Sequence, residues 1–501
     1  MKLSINIAAN FLGRAWVAGI GIVMVPLYIK FLGIESYGLV GFYSTLIGSM
    51  GLLDLGLSTT LNRELTKARV EKTDATTVRN LVFTLECIYW SIGLLIAVCV
   101  VALAPAIATH WLQAKNLPVQ TVSKAVILMG AVMAFQWPIS LYNGGMYGLD
   151  KQVTDNTIMV CMTTLRSVGV VLLLWLVAPT IEVFFIWQAI ISFIYVFAMR
   201  TGLWYYLPKA NTWPKFSKDQ LKLIWRFAAG MTSISIVGFL LMQADKIVLS
   251  KVLPLSQFAY YILAFTVAGG INMIVNPINA AIFPRLTAFV TSNDRPGLIN
   301  AYHKACRLIA LTVFPVGLIL IFFASNILLI WTKNPVTVAK TTLMVQILVT
   351  GTIINSLMVI PYLLQVAYGK TRLSFYQNLI AAIILVPLLF WWVHLYGAVG
   401  GTFVWLAVNT GSLLITIPII HNTLLKGELK NWCINDVFIP LLPNLISITV
   451  IKLIVNKYPE ILKLNLWGIG IIFLLVVFIS SFFISEMREL KKRVRTAILK
   501  S

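Results

Sequence analysis

The sequence predicts an all-α integral membrane protein of about fourteen transmembrane helices, arranged as two six-helix bundles and a C-terminal pair. Three observations predict it. Apolar runs of about 20 residues, the length that crosses a bilayer as a helix, recur along all 501 residues. The chain is 59% hydrophobic and only 11% charged, and its mean hydropathy is +0.89, outside the range of ordinary globular chains. No polar stretch between the runs is long enough to fold alone.

In chain order the first six spans fall at 5–29, 37–60, 80–106, 122–147, 155–178 and 183–206. After a basic connection come six more, at 227–252, 257–284, 306–331, 341–366, 375–395 and 398–420, and then a pair at 436–455 and 465–486. Pro26, Pro138, Pro277, Pro315, Pro361 and Pro387 lie inside spans. There proline kinks a helix without ending it, because neighbouring helices re-satisfy the freed carbonyls. The domains expected are an N-terminal bundle (1–207), a linker (208–226), a second bundle (227–430), two extra helices (431–486) and a basic tail (487–501).

A shift of 221 residues lays the second half on the first: Tyr147-Gly148 falls on Tyr368-Gly369, and Lys30, Leu32, Thr45, Gly48 and Leu65 fall on Lys251, Leu253, Thr266, Gly269 and Leu286. Six helices is an even number, so both halves insert the same way up. They are expected to be related by a pseudo-twofold axis along the membrane normal, with a cavity between them.

The net charge is +22. In a soluble chain that excess would suggest nucleic acid. Here the basic residues gather in alternate connections: Arg63 to Arg79, Lys151, Lys209 to Arg226, Arg285 to Arg307, Lys370 to Arg372, Lys426 to Lys430, and the tail from Arg488. With Lys2, that side holds about 26 of the 39 basic residues, which places both termini in the cytoplasm and the connections against anionic headgroups. Arg14 interrupts the first run, which reads as a retained helix and not a cleaved signal. Five cysteines without a CxxC and four scattered histidines support neither a disulfide framework nor a metal site.

Ionisable side chains within a span are expensive and are functional candidates by default. They are Arg14, Asp54, Glu86, Arg166, Asp245 and Lys246, with Arg63 and Arg285 near the basic ends. A cationic lining of Arg14, Arg63, Lys246 and Arg285 would offset the cost of carrying phosphate or pyrophosphate through low dielectric, and arginine adds bidentate hydrogen bonding. Asp54, Asp245 and Glu86 are candidates for coupling to a proton or sodium ion; no cofactor is expected. Asn272, Asn276 and Asn279 recur at i, i+4 and i+7 on one helix face, a stripe suited either to sugar hydroxyls or to gluing helices together. The structural alternative is that the charges neutralise one another, with Arg63, Arg200 and Arg285 reaching to headgroups. Asp245 and Lys246 are adjacent, point about 100° apart, and are not expected to pair face to face. No G-x-x-x-x-G-K-[ST] occurs, so transport would run on an ion gradient or downhill.

Four stretches together resemble the Wzx-type lipid-linked oligosaccharide (O-antigen) flippases: Asn10-Phe-Leu-Gly, Pro26-Leu-Tyr-Ile-Lys-Phe-Leu-Gly-Ile-Glu-Ser-Tyr-Gly-Leu, Leu53-Asp-Leu-Gly-Leu-Ser-Thr-Thr-Leu-Asn-Arg-Glu-Leu and Gln243-Ala-Asp-Lys-Ile-Val-Leu-Ser. That family shares a superfamily with multidrug antiporters of the MATE type and lipid II flippases. The resemblance implies translocation of an undecaprenyl-pyrophosphate-linked oligosaccharide across the bacterial inner membrane by alternating access, coupled to an ion gradient. It also implies the company of a polysaccharide polymerase and a chain-length regulator. Two rival readings are a multidrug antiporter, which would prefer an acidic cavity, and a polymerase-type membrane enzyme. The second would need a long outward loop, whereas the outward connections run to about sixteen residues at most.

Overall fold

A computed structural model describes residues 2–54, 56–218, 242–457 and 466–483. The linker's 219–226, the first part of the seventh expected span (227–241) and the basic tail (487–501) lie outside these residues. Apart from an isolated bridge between Gln113 and Pro254, the regular structure described is helical. Among the described residues eleven helices are long and apolar enough to cross a membrane. This follows from the solvent: in lipid each backbone N–H and C=O must be satisfied within the protein, and a helix does so locally.

The first two expected spans form one helix, α1 (Lys2–Leu53), bent at Gly33 where φ is +80°. The second span stops at residue 53 and not at 60. Gly56 takes a left-handed backbone (φ +75°) at no Cβ cost, and α2 (Leu57–Glu71) starts anew. The Asp54 carboxylate closes its first turn, accepting from the Ser58 hydroxyl at 2.7 Å and the Ser58 N–H at 3.4 Å. Asp54 therefore sits at a helix break, not mid-span.

α3 (Ala75–Ala106) opens on Asp74, which accepts from the N–H groups of Thr76 and Thr77. The fourth span is split around Pro138 into α4 (Val119–Gln136) and α5 (Ile139–Gly148); α6 (Gln152–Leu176), α7 (Ile181–Tyr206) and α8 (242–252) follow. The eighth span is likewise broken, into α9 (Leu255–Gly269) and α10 (Asn272–Thr291), so Asn272 begins a helix. Then come α11 (Arg295–Phe322), α12 (Ala324–Thr332), α13 (Pro335–Ala367), α14 (Thr371–Tyr396) and α15 (Ala398–Leu424). A short α16 (Leu429–Asn431) and a π-helical stretch, Trp432–Phe438, lead into α17 (Ile439–Lys457), and α18 is Leu466–Phe483.

The chain forms two compact units, Met1–Ile262 and Leu263–Ser501. In the first, α1 packs on α6, α3 on α4, α4 on α7 and α2 on α5, around a core that includes Leu61, Leu85, Tyr89, Tyr142 and Leu203. The described part of the linker lies along α3, with the Lys215 N–H donating to Asn80 Oδ1 at 2.7 Å and the Ser217 N–H to Thr84 Oγ1 at 2.9 Å. In the second unit α13 packs on α11 and α15, and α11 also carries α17 and the π-helical stretch before it.

Turns at corresponding places in the two halves share backbone geometry. The chain leaves α2 and α10 through similar turns: Lys72 and Asn293, 221 residues apart, both have φ +54°. The next N–H then returns to a carbonyl five residues back, Thr73 to Ala68 at 2.9 Å and Asp294 to Phe289 at 3.1 Å. The turns after α5 and α13 close with the same kind of bond, Lys151 N–H to Met146 at 2.8 Å and Lys370 N–H to Gln365 at 3.0 Å, at a shift of 219 (370 − 151). Tyr147-Gly148 and Tyr368-Gly369 are thus two residues out of structural register.

Candidate functional site

Helix α3 carries Glu86 and Tyr89 three residues apart, on one face. The Tyr89 hydroxyl donates to Asp54 Oδ1 at 2.5 Å, and Ser140 donates to the same oxygen at 3.1 Å. Less than a turn away, Glu86 Oε1 accepts from the Tyr142 hydroxyl at 2.6 Å and from Arg200 Nε at 2.5 Å, while Trp90 Nε1 donates to the Tyr142 oxygen at 3.2 Å. Because α5 supplies both Ser140 and Tyr142, Asp54 and Glu86 belong to one connected network. Arg200, expected to reach to headgroups, is instead anchored on Glu86.

Asp245 and Lys246 are 7% and 6% exposed. Contrary to the expectation from their spacing, they pair: Lys246 Nζ lies 3.3 Å from Asp245 Oδ1. The long lysine stem overcomes the angular offset by turning back one helical turn, where Nζ also donates to the Met242 carbonyl at 2.8 Å. Tyr261 donates to Asp245 Oδ2 at 2.5 Å. Lys246 is therefore a compensated charge.

Arg14 stands on an exposed face of α1. Tyr147 and Asp155 lie near enough to Arg14 to interact with its charge, and Asp155 is buried with Oδ1 lacking a hydrogen-bond donor. Two side-chain bonds hold α1 to α6 around this point, Asn156 Nδ2 to Asn10 Oδ1 at 2.5 Å and Trp16 Nε1 to Thr164 Oγ1 at 2.9 Å. Arg63 is exposed on α2, 3.9 Å from Glu64. In the second unit Asn272, Asn276 and Arg285 are exposed on α10, and Asn279 is half-buried with Oδ1 unpartnered. Arg166, the remaining span charge, reaches the Ser192 hydroxyl at 3.4 Å.

Sequence reasoning missed Asp155 and a second cluster. His303 Nδ1 lies 2.5 Å from Asp436 Oδ2 and Nε2 lies 3.1 Å from Glu428 Oε2, with Arg307 3.5 Å from Asp436 Oδ1. Asn431 donates to Glu428 at 2.9 Å; this bond, with the smaller help of His303, holds the Glu428 carboxyl below the usual glutamate range despite some desolvation. The available signal was scarcity: with 17 acidic residues in 501, any carboxylate at the edge of an apolar run calls for a partner. No group of three or more His, Cys, Asp or Glu among the described residues could hold a metal ion.

With this geometry in hand, comparison places the chain. The profile of a family described as polysaccharide biosynthesis protein matches residues 29–335, and the chain belongs to that family. A Shigella flexneri protein whose name provisionally assigns it to O-antigen transport is 23% identical over 190 residues, 38% of this chain. The chain covers 44% and 65% of the curated relatives it matches, under two thirds of either. Among solved structures, the lipid II flippase MurJ in an inward closed conformation aligns over 97% of this chain and 99% of its own, with a TM-score of 0.70 at 13% identity. An inward-facing multidrug resistance MATE transporter of the MOP superfamily aligns over 82% of this chain and 96% of its own, with a TM-score of 0.65 at 15% identity. The fold is that of MOP-type multi-pass membrane transporters, and the proteins compared are transporters and flippases, not enzymes.

Proposed function

We propose that this protein flips an undecaprenyl-pyrophosphate-linked oligosaccharide across the bacterial inner membrane by alternating access, with both termini in the cytoplasm. The observation that carries this reading is Arg14: an exposed basic residue within a span, with Tyr147 and the buried Asp155 near it, in a member of a polysaccharide biosynthesis family. A diphosphate needs cationic donors in low dielectric, and a guanidinium presents a planar fork that two phosphate oxygens can share. Within the first unit Arg63 adds a cationic contact, and Lys246 another when Asp245 releases it; within the second unit Arg285 is the cationic contact and Asn272, Asn276 and Asn279 meet sugar hydroxyls.

Among the coupling candidates, Asp54 suits proton exchange best. Its side-chain partners Tyr89, Ser140 and Ser58 are hydroxyls, which rotate to serve a carboxylate or a carboxylic acid. Glu86 and Asp245 face fixed cations instead. A polymerase, a chain-length regulator and anionic lipids are the partners this role requires.

The test is complementation of cells lacking the gene with wild type and Arg14→Ala, scored for surface polysaccharide at equal membrane insertion. Loss of polysaccharide in the variant, with lipid-linked units building up on the cytoplasmic face, is the expected result. Full polysaccharide at native expression overturns it. Efflux of a cationic dye by the wild type would favour the antiporter reading.

A further inference from the structure

Within the first unit, a cavity of about 950 Å³ opens where three helix ends meet: the α2–α3 turn, the α5–α6 turn and the end of α7. We propose that it binds the phosphate of a membrane lipid, a site separate from the Arg14 path and independent of whether the chain acts as a flippase.

Four charges line it: Arg69, Lys72, Lys151 and Asp150. Arg69 is spent on Asp150, with which it forms an ion pair. Among the described residues neither lysine has a carboxylate within ion-pair distance. Lys151 Nζ sits 4.4 Å from the centroid of the Tyr206 ring, which steadies the ammonium and leaves its hydrogen-bond donors open. Two lysines with no carboxylate partner among the described residues thus line the cavity, at helix ends on the side where the bias of basic connections puts the cytoplasmic leaflet.

Backbone geometry sharpens the assignment. Lys72 adopts the left-handed conformation, φ +54°, which a residue with a Cβ holds at a cost of about 1 kcal/mol and glycine holds freely. The matching turn in the second repeat uses Asn293, a residue type that tolerates this conformation. The first repeat accepts the cost and places an ammonium on the cavity rim. The lining is otherwise largely apolar, with Leu65, Val78, Leu149 and Val153 beside the lysines. A soluble anion would leave those side chains wet, whereas a lipid can lay the first part of its chain on them.

The lipid has two possible sources, a phospholipid and a polyprenyl phosphate. Native mass spectrometry of the full chain in neutral detergent, titrated separately with phosphatidylglycerol, undecaprenyl phosphate and phosphatidylcholine, distinguishes them. The expected result is one retained molecule of an anionic lipid in preference to phosphatidylcholine, with the tighter of the two naming the source. The Lys72→Gln, Lys151→Gln double variant should weaken retention about tenfold or more. Asp150→Asn, which frees Arg69, should strengthen it, a gain that a merely structural role would not give. Retention of both anionic lipids unchanged in the double variant, equal retention of phosphatidylcholine, or displacement by an equal concentration of inorganic phosphate overturns the proposal. An unchanged unfolding midpoint establishes that the variants are folded.

Discussion

Arg200 Nε lies 2.5 Å from Glu86 Oε1, joining α7 to α3, and the two partners are unequally covered: the arginine side chain is 41% exposed, the glutamate 5%. Burial decides which loss hurts more. Without Arg200 a carboxylate stays in a nearly dry site; without Glu86 the guanidinium still reaches its surroundings. Arg200→Ala should cost about 3 kcal/mol, the low end for a broken buried pair, and Glu86→Gln clearly less. The double variant should recover most of the loss, giving a coupling of at least about 1 kcal/mol in a denaturation cycle in detergent. Additive effects would mean that the pair is not coupled.

A second expectation concerns the contact of α2 with α5. A Cβ at Gly144 would overlap the backbone oxygen of Ser58, an atom that cannot swing aside. Gly144→Ala should therefore push the helices apart at a cost of about 1–3 kcal/mol. It should also draw Ser58 and Ser140 off Asp54. Wild-type stability in this variant would mean the two helices pack more loosely than described.

The Glu428 carboxyl gives a pH dependence of definite sign. Asn431 and His303 favour its ionised form, so its folded value lies below the ordinary 4.5. Its contribution to stability is complete above that ordinary value and disappears as pH falls through the lower folded one. Glu428→Gln should flatten this acid limb of the unfolding midpoint, and Asn431→Ala should move the limb to higher pH. An acid limb identical in all three proteins would remove Glu428 from it.

Much of the fold was legible because hydropathy and helix length are tied together in lipid, although Pro138, expected only to kink its helix, divides α4 from α5. The breaks after Asp54 and at Gly270–Ile271 were not legible: the apolar run continues through both, and the first is made by the Gly56 backbone angle and the Asp54–Ser58 bond, the second by N–H groups that turn to carbonyls three residues back. The candidate charges were visible one at a time, as costs in a hydrocarbon setting. Their partners were not, since Glu86 finds Arg200 114 residues away and His303 finds Asp436 133 residues away. Spacing along one helix also misled at Asp245 and Lys246, where side-chain reach outweighed direction.

The central claim is that Arg14 meets the diphosphate. Its most direct test is the initial rate at which purified protein in liposomes moves a fluorescent undecaprenyl-pyrophosphate-linked sugar between leaflets, compared for wild type, Arg14→Lys and Arg14→Ala. Loss of one charge-assisted contact should slow the alanine variant about tenfold or more, with lysine in between because it keeps the charge but not the fork. An alanine variant that moves the lipid at the wild-type rate would contradict the account.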